Sequence, residues 1–384
     1  MEAASLSTGG RSILGRSPVA RFPDRALRYG LTALAALILA LIVYFFFRLA
    51  GEAQPAFAKF GVLGFTFDND WNVAGEHFGA LPLVVGTLIT SGLALLIGVP
   101  VAVATAIYVT ELCPGRVRAP VTVLIELLAA VPSVVYGLWG IFFLAPKLLP
   151  AEQWIADRLS FVPFIGGGIV TIPNIFVAGL ILAIMILPIV SAISREVMAT
   201  VPADHKEAAL GLGATRWEMI RLSVLPYCRG GIIGGAMLGL GRAIGETIAV
   251  TIMIGDAPQM PQHLFGQGYA LAAVIANEFG EAQGLHRSAL FAAGLLLFVL
   301  TLIVNAIARL VVLRAARDRA PKRSARDRAE NTPPASADAS ATISIVPRIA
   351  LSMPPIVEFL KNVLPVGSVV KKLQLHELRP LLRR

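Results

Sequence analysis

Long apolar runs recur along the chain, separated by short stretches in which charged residues, glycine and proline gather. The hydrocarbon core of a bilayer is about 30 Å thick and an α-helix rises about 1.5 Å per residue, so about 20 apolar residues in a row suffice to cross it. Six runs reach that length, at residues 31–49, 81–109, 121–144, 169–193, 230–254 and 288–313. The pattern predicts an all-α membrane protein with six transmembrane helices. Pro100 and Pro132 lie inside the second and third runs. Proline removes a backbone donor, so both helices are expected to kink there.

Composition points the same way. Of 384 residues, 56% are hydrophobic and 15% charged, more apolar surface than one water-soluble core can bury. A net charge of +9 would ordinarily suggest nucleic acid as a partner. The distribution argues otherwise: residues 315–384 hold 13 Lys and Arg against 6 Asp and Glu, so +7 of the +9 sits in a tail. No basic patch with interleaved aromatics is left, and no nucleic acid is expected. Cys113 and Cys228 have no CxxC neighbour, and His77, His205, His263, His286 and His376 form no HExxH-like pair. Neither a metal nor another cofactor is therefore expected. The dipeptide Gly-Lys never occurs, which excludes a Walker A phosphate loop. If ATP drives this protein, another chain binds it. With no nucleophile or acid–base pair near a membrane surface, the chain does not read as an enzyme.

Charge also sets an orientation. Arg11, Arg16, Arg21, Arg25 and Arg28 precede the first run, as in the basic head of a signal peptide. The run that follows is too long for one and ends in Phe45-Phe46-Phe47-Arg48 rather than at small residues, so a retained signal-anchor is expected. Cations gather on the cytoplasmic side, which places the N-terminus there, and an even number of crossings returns the C-terminus to it. Arg116 and Arg118 in the second connection, and Arg195, Lys206, Arg216, Arg221 and Arg229 in the fourth, agree. The first connection sets only Lys59 against Glu52, Asp68, Asp70 and Glu76. The expected organisation is a cytoplasmic segment 1–28, a membrane domain 29–314 with its core at 80–314 and a long cytoplasmic loop at 194–229, and a cytoplasmic, mostly disordered tail at 315–384. Within the tail, residues 349–370 are moderately apolar but interrupted by Pro354, Pro355 and Pro365, which suits an interfacial segment better than a seventh crossing.

The fourth connection carries the most information. Glu207, Ala208, Ala209 and Leu210 favour helix, Gly211 and Gly213 permit a sharp turn, and residues 217–222 favour helix again before Pro226. The segment resembles the EAA loop of ABC-importer permeases, in which Glu-Ala-Ala is followed after three residues by Gly and later by Ile, one residue and Leu-Pro. Glu207, Ala208, Ala209, Gly213, Leu225 and Pro226 match, while Ser223 stands where the pattern has Ile. The resemblance implies a type I importer fold and makes this loop the piece that docks in a groove of an ATPase subunit, with Glu207, Ala208, Ala209 and Gly213 as coupling residues. Small alanines permit close approach, and the carboxylate offers a charged contact.

Further stretches resemble the phosphate-specific permeases of Pst-type systems, in their C-type subunit. They are Phe78-Gly-Ala-Leu-Pro82, Gly86-Thr-Leu-Ile-Thr-Ser91, Ala106-Ile-Tyr-Val-Thr-Glu-Leu112, Val131-Pro-Ser-Val-Val-Tyr-Gly-Leu-Trp-Gly140 and Gly239-Leu-Gly-Arg-Ala-Ile-Gly-Glu-Thr247. The resemblance implies a place in the cell inner membrane and uptake of inorganic phosphate driven by ATP. It also implies a heterodimer with a second phosphate permease, two copies of an ATP-binding subunit, and a periplasmic phosphate-binding protein. Permeases for sulfate, molybdate or phosphonate are the alternatives within the class. An ion-driven secondary transporter is the alternative outside it, though that would need no EAA loop.

Two residues invite a functional reading from their chemistry alone. Arg242 and Glu246 stand at i,i+4 inside the fifth run, so a continuous helix would project both from one face. An ionised group in mid-membrane is costly and ordinarily faces a partner or a water-filled path. Arginine suits an oxyanion because its planar fork donates two parallel hydrogen bonds. The pair is accordingly expected on the substrate path, with Glu246 restraining Arg242, or else to be a structural ion pair. Glu126 in the third run either pairs across helices with a cation such as Arg242 or reaches water at the cytoplasmic end. Thr87, Thr90, Ser91 and Ser133 either bond back to carbonyls one turn earlier or line the path.

Overall fold

The computed structural model describes residues 21–166 and 168–317. Expectations for residues 1–20 and 318–384, including the tail and its segment 349–370, lie outside the described residues. Helix α1 (Arg21–Phe60) leads into the short α2 (Val62–Phe67) and a two-residue ribbon of β1 (Trp71–Asn72) against β2 (His77–Phe78). Helix α3 (Leu81–Ile107) continues through Pro100 without interruption. The chain instead leaves α-helical geometry at Tyr108–Leu112, a wide π-type turn that precedes α4 (Gly115–Ala130). The Val131–Pro132 step breaks the chain completely before α5 (Ser133–Trp139), which runs through a second wide turn into α6 (Ala145–Arg158). Helix α7 (Ile175–Ala199) is followed by α8 (Ala203–Gly211), α9 (Arg216–Met219), a third wide turn and α10 (Leu225–Gly245). The fold closes with α11 (Ile248–Ile254), α12 (Leu271–Glu278) and α13 (Gly284–Arg317).

Helix α7 is the centre of this arrangement. Of its most apolar stretch 67% is buried, against 33% for the span that begins with α3 and 0% for α1. Lipid tails are as apolar as leucine, so helices in a bilayer associate through close packing at small residues. Gly98 of α3 sits against Ile186 and the Ala183 carbonyl of α7, and Gly179 of α7 sits against Leu93. Helix α10 runs antiparallel to α7, with Gly231 against Val197, Gly235 against Ile193 and Gly239 against Val190.

The same register locates the third crossing. Arg195 near the C-terminus of α7 pairs with Glu126 of α4 at 3.3 Å, and Ile181 further back packs on Gly140 just beyond α5. Helices α4 and α5 thus lie along α7 between Arg195 and Ile181, broken at Val131–Pro132. The unbroken stretch Ser133–Arg158 is long and apolar enough to cross a bilayer by itself. Its second half nevertheless overlies the end of α7, where Glu152 of α6 accepts a 2.9 Å hydrogen bond from the Asn174 side chain. The sequence-predicted span 121–144 is thus interrupted at Val131–Pro132, and the continuous apolar helical stretch starts only at Ser133 and runs on to Arg158.

Two other expectations need correction. Residues 169–174 of the fourth predicted span form a loop. Asn174 is the reason: its side chain accepts from the Val177 amide at 2.8 Å and caps α7, so the helix starts at Ile175. The fifth crossing is a bent pair, α10 and α11 meeting at 65°, with the bend at Glu246 and Thr247. Counting the bent pair α10–α11 as one span gives up to six crossings among the described residues, consistent with the expected fold class.

Candidate functional site

Helix α8, the turn after it and α9 project beyond the end of the bundle formed by the C-terminus of α7. Asp204 in the first turn of α8 favours the positive end of the helix dipole. The helix stops where Gly213 takes φ +86°, a left-handed conformation that residues with a Cβ rarely adopt. The Gly213 amide bonds to the Leu210 carbonyl at 2.9 Å and the Ala214 amide to the Ala209 carbonyl at 3.2 Å, which satisfies two of the last free carbonyls of α8. Thr215 then starts α9 with a reciprocal cap. Its hydroxyl accepts from the Glu218 amide at 3.3 Å, and the Glu218 carboxylate accepts from the Thr215 amide at 2.8 Å. Two capped helix ends meeting at one glycine make this turn rigid.

Of the predicted coupling residues, Glu207 and Ala208 are exposed, and Gly213 forms the turn. Ala209 instead packs against a small core that includes Ile107, Met198, Val201, Met219 and Ile220, so its methyl group anchors α8 to the bundle. Sequence reasoning missed the apolar knob beside them. Leu212 is 90% exposed and Trp217 60% exposed, one on each side of the turn. Large apolar residues flanking a turn glycine in an otherwise charged loop were the available signal, because such exposure is costly unless something covers it. Sequence reasoning also missed Lys206, whose Nζ donates to Glu111 Oε1 at 2.6 Å.

The second cluster lies deep in the bundle. Extending the α10–α7 register from Gly239 brings Arg242 abreast of the middle of α7. Arg242 is exposed in this chain, in the last turn of α10. The expected pairing with Glu246 does not form: among the described residues no ion pair joins them. The helix ends at Gly245 and Glu246 is extended, with ψ 125°, so the i,i+4 geometry that would align the two side chains is lost. Glu246 Oε1 turns to the Ala249 amide of α11, at 3.5 Å. The Tyr136 hydroxyl of α5 donates to the Leu128 carbonyl of α4 at 2.8 Å. The α4–α5 break and the α10–α11 break are brought together, since α5 and α11 pack side by side with Gly137 against Ala249 and Ile252. Glu126, expected to find a cation such as Arg242, pairs with Arg195 instead and is itself 60% exposed. The hydroxyls of Thr87, Thr90 and Ser91 bond to carbonyls within the preceding turn, at 2.8, 2.9 and 2.6 Å. Thr87 also accepts from the Leu271 amide at 3.0 Å and so ties α12 to α3.

At the opposite end of the bundle, Glu278 gathers three donors from separate elements: the Trp71 indole at 3.1 Å, the Tyr269 hydroxyl at 3.2 Å and the His286 ring at 2.8 Å. Burial pushes the nearby Asp256 carboxyl and the Tyr269 hydroxyl up from their ordinary ranges. The His77 ring bonded to Asp68 at 2.6 Å holds that carboxyl down. This network fixes the connections that face outward from the far end.

The sequence model of the family described as binding-protein-dependent transport system inner membrane component matches residues 98–317. The phosphate transport system permease protein PstC of Pasteurella multocida is 48% identical over 263 residues, which cover 67% of this chain and 82% of that one. Its counterpart in Mesorhizobium japonicum is 44% identical over 307 residues, 77% of this chain and 92% of that one. Among solved structures, a bacterial ABC transporter involved in import of the acidic polysaccharide alginate has a chain that is 20% identical, with a TM-score of 0.49 over 77% of this chain and 99% of that one. The chain belongs to the family of binding-protein-dependent transport system inner membrane components and, within it, to the phosphate transport permeases of the PstC type.

Proposed function

We propose that this chain is the permease subunit through which inorganic phosphate crosses the inner membrane, with ATP hydrolysed on a partner subunit. The observation that carries the importer reading is the capped turn at Gly213, which holds Glu207, Ala208, Leu212 and Trp217 out from the bundle as a surface for another protein. The near-half identity to phosphate permeases over most of the chain supports the cargo. The expected assembly pairs this chain with a second permease, two ATP-binding subunits and a phosphate-binding protein on the outer face. Arg242, exposed toward the place where two helices break, is the candidate phosphate contact on the path. Glu246, bent away from Arg242, caps α11 and holds the break open. Membrane vesicles holding the assembled complex test the reading: phosphate uptake should require both ATP and added binding protein. Uptake driven by an ion gradient alone would replace this reading with a secondary transporter.

The proposed orientation puts both termini and the α8–α9 turn in the cytoplasm. Single cysteines replacing Ser7, Asn69 and Gln283 test it with an impermeant thiol reagent on intact cells. Asn69 and Gln283 are exposed at the far end and are expected to be labelled. Ser7 should stay unlabelled until the membrane is opened, and its labelling from outside would reverse the topology.

A further inference from the structure

The importer reading requires that movement of α8 reach the membrane helices, yet α8 has no buried residue of its own. Its attachments are the half-buried Ala209 in the small core, the His205 carbonyl, which accepts from the Ser223 hydroxyl at 3.3 Å, and the His205 ring, 6.2 Å from that of Tyr227. The Lys206–Glu111 pair adds a stronger one. The two side chains meet at 2.6 Å and are only 24% and 8% exposed, which makes the pair far less accessible to water and salt than a surface bridge. Among the described residues it is the one ion pair that joins α8 to any other element.

The position of Glu111 gives that contact a mechanical meaning. It sits in the wide turn Tyr108–Leu112, closed by the Cys113 amide on the Tyr108 carbonyl at 2.7 Å. Such a turn inserts an extra residue into the helix and re-aims the side chains beyond it, here toward α8. The adjacent Thr110 carbonyl accepts from Arg118 Nη2 of α4 at 2.8 Å. One short segment therefore touches the coupling helix, the end of the second crossing and the start of the broken third crossing.

We propose that Glu111 and Lys206 form the strut that carries displacement of α8 into the second and third crossings, as positioning residues for transport rather than contacts to phosphate. The inference rests on the importer reading above. Removing either charge leaves the other buried without its counterion, so α8 loosens from the wide turn while its outer surface is unchanged.

The test uses the complete complex in liposomes, with binding protein loaded with radiolabelled phosphate. The readout is phosphate taken up per ATP hydrolysed, normalised to assembled complex. Glu111→Gln and Lys206→Gln should still hydrolyse ATP while phosphate per ATP falls about three- to tenfold, the range typical of changes along a coupling network. The exchange E111K/K206E, which restores opposite charges, should recover most of the loss. A pair with only a structural role would lower the amount of assembled complex and leave the ratio normal. Should Glu111→Gln not assemble, Glu111→Asp, which keeps the charge and shortens the reach, should show the reduced ratio instead. A normal ratio in the single variants that assemble, or no recovery in an assembled exchange variant, overturns the strut. If the unaltered complex takes up phosphate without ATP or binding protein, the importer reading has failed. If it needs both and the variants couple normally, only the strut falls.

Discussion

Replacing Gly213 by valine is expected to abolish most ATP-driven phosphate uptake while the membrane helices still insert. The cause is local: Gly213 holds φ +86°, and a residue with a Cβ there costs about 1–2 kcal/mol, more when the side chain is β-branched. Among the described residues, its two chain neighbours aside, no atom lies within 4 Å of an added Cβ, so the penalty is conformational and the bundle is not disturbed. To escape it the turn must adopt another backbone path, which moves Leu212 and Trp217 away from the surface they form with Glu207 and Ala208. A loss of about 1–2 kcal/mol of docking energy corresponds to roughly five- to thirtyfold weaker ATPase binding. Asparagine enters left-handed conformations more readily, so Gly213→Asn should retain most coupling. Co-purification of the ATPase and uptake per assembled complex are the measurements. A valine variant that binds its ATPase and transports normally would remove this turn from the coupling mechanism.

Changing Arg242 is expected to act at the other end of the process, on passage of the anion. A hydrogen bond to a charged group contributes about 1.5–3 kcal/mol, and lysine keeps the charge but loses the second arm of the fork. Uptake per assembled complex should therefore fall about tenfold in Arg242→Lys and further in Arg242→Ala, since a change of 1.4 kcal/mol is about a factor of 10. Assembly should change little, because Arg242 is exposed in this chain and joins none of its ion pairs among the described residues. Glu246→Gln should have a smaller effect than either, because Glu246 does not hold the guanidinium. Equal specific uptake in all of these variants would leave Arg242 with a structural role alone.

Much of the architecture was legible before any coordinates. Apolar runs of bilayer length mark crossings because lipid offers no partner for a backbone donor, and only a long helix satisfies them all internally. The turn after α8 was equally legible: a left-handed helix end selects glycine, and Gly213 occupies that place. Proline was a weaker guide. Pro100 is absorbed within α3, whereas Pro132 marks a full break, and both carry the same local chemistry. Whether a helix continues past a proline depends on which neighbours hold it, and here the tyrosine of α5 bonds back across the break to the Leu128 carbonyl.

What the tertiary structure alone decided is which charges meet. The i,i+4 rule that pairs Arg242 with Glu246 holds only along a continuous helix, and the bend of 65° between α10 and α11 separates them. Glu126 finds Arg195, and Glu111 finds Lys206, because of how α4 slides against α7 and how the wide turn faces α8. Such offsets are set where side chains pack at glycines, as Ile181 of α7 does at Gly140 just beyond α5, between helices far apart in sequence. Residue spacing reports periodicity within one helix and not the offset between two. The sequence by itself thus determined the apolar crossings and the glycine turn after α8, which follow from local backbone physics. The partners of these charges followed from packing, which only the assembled helices define.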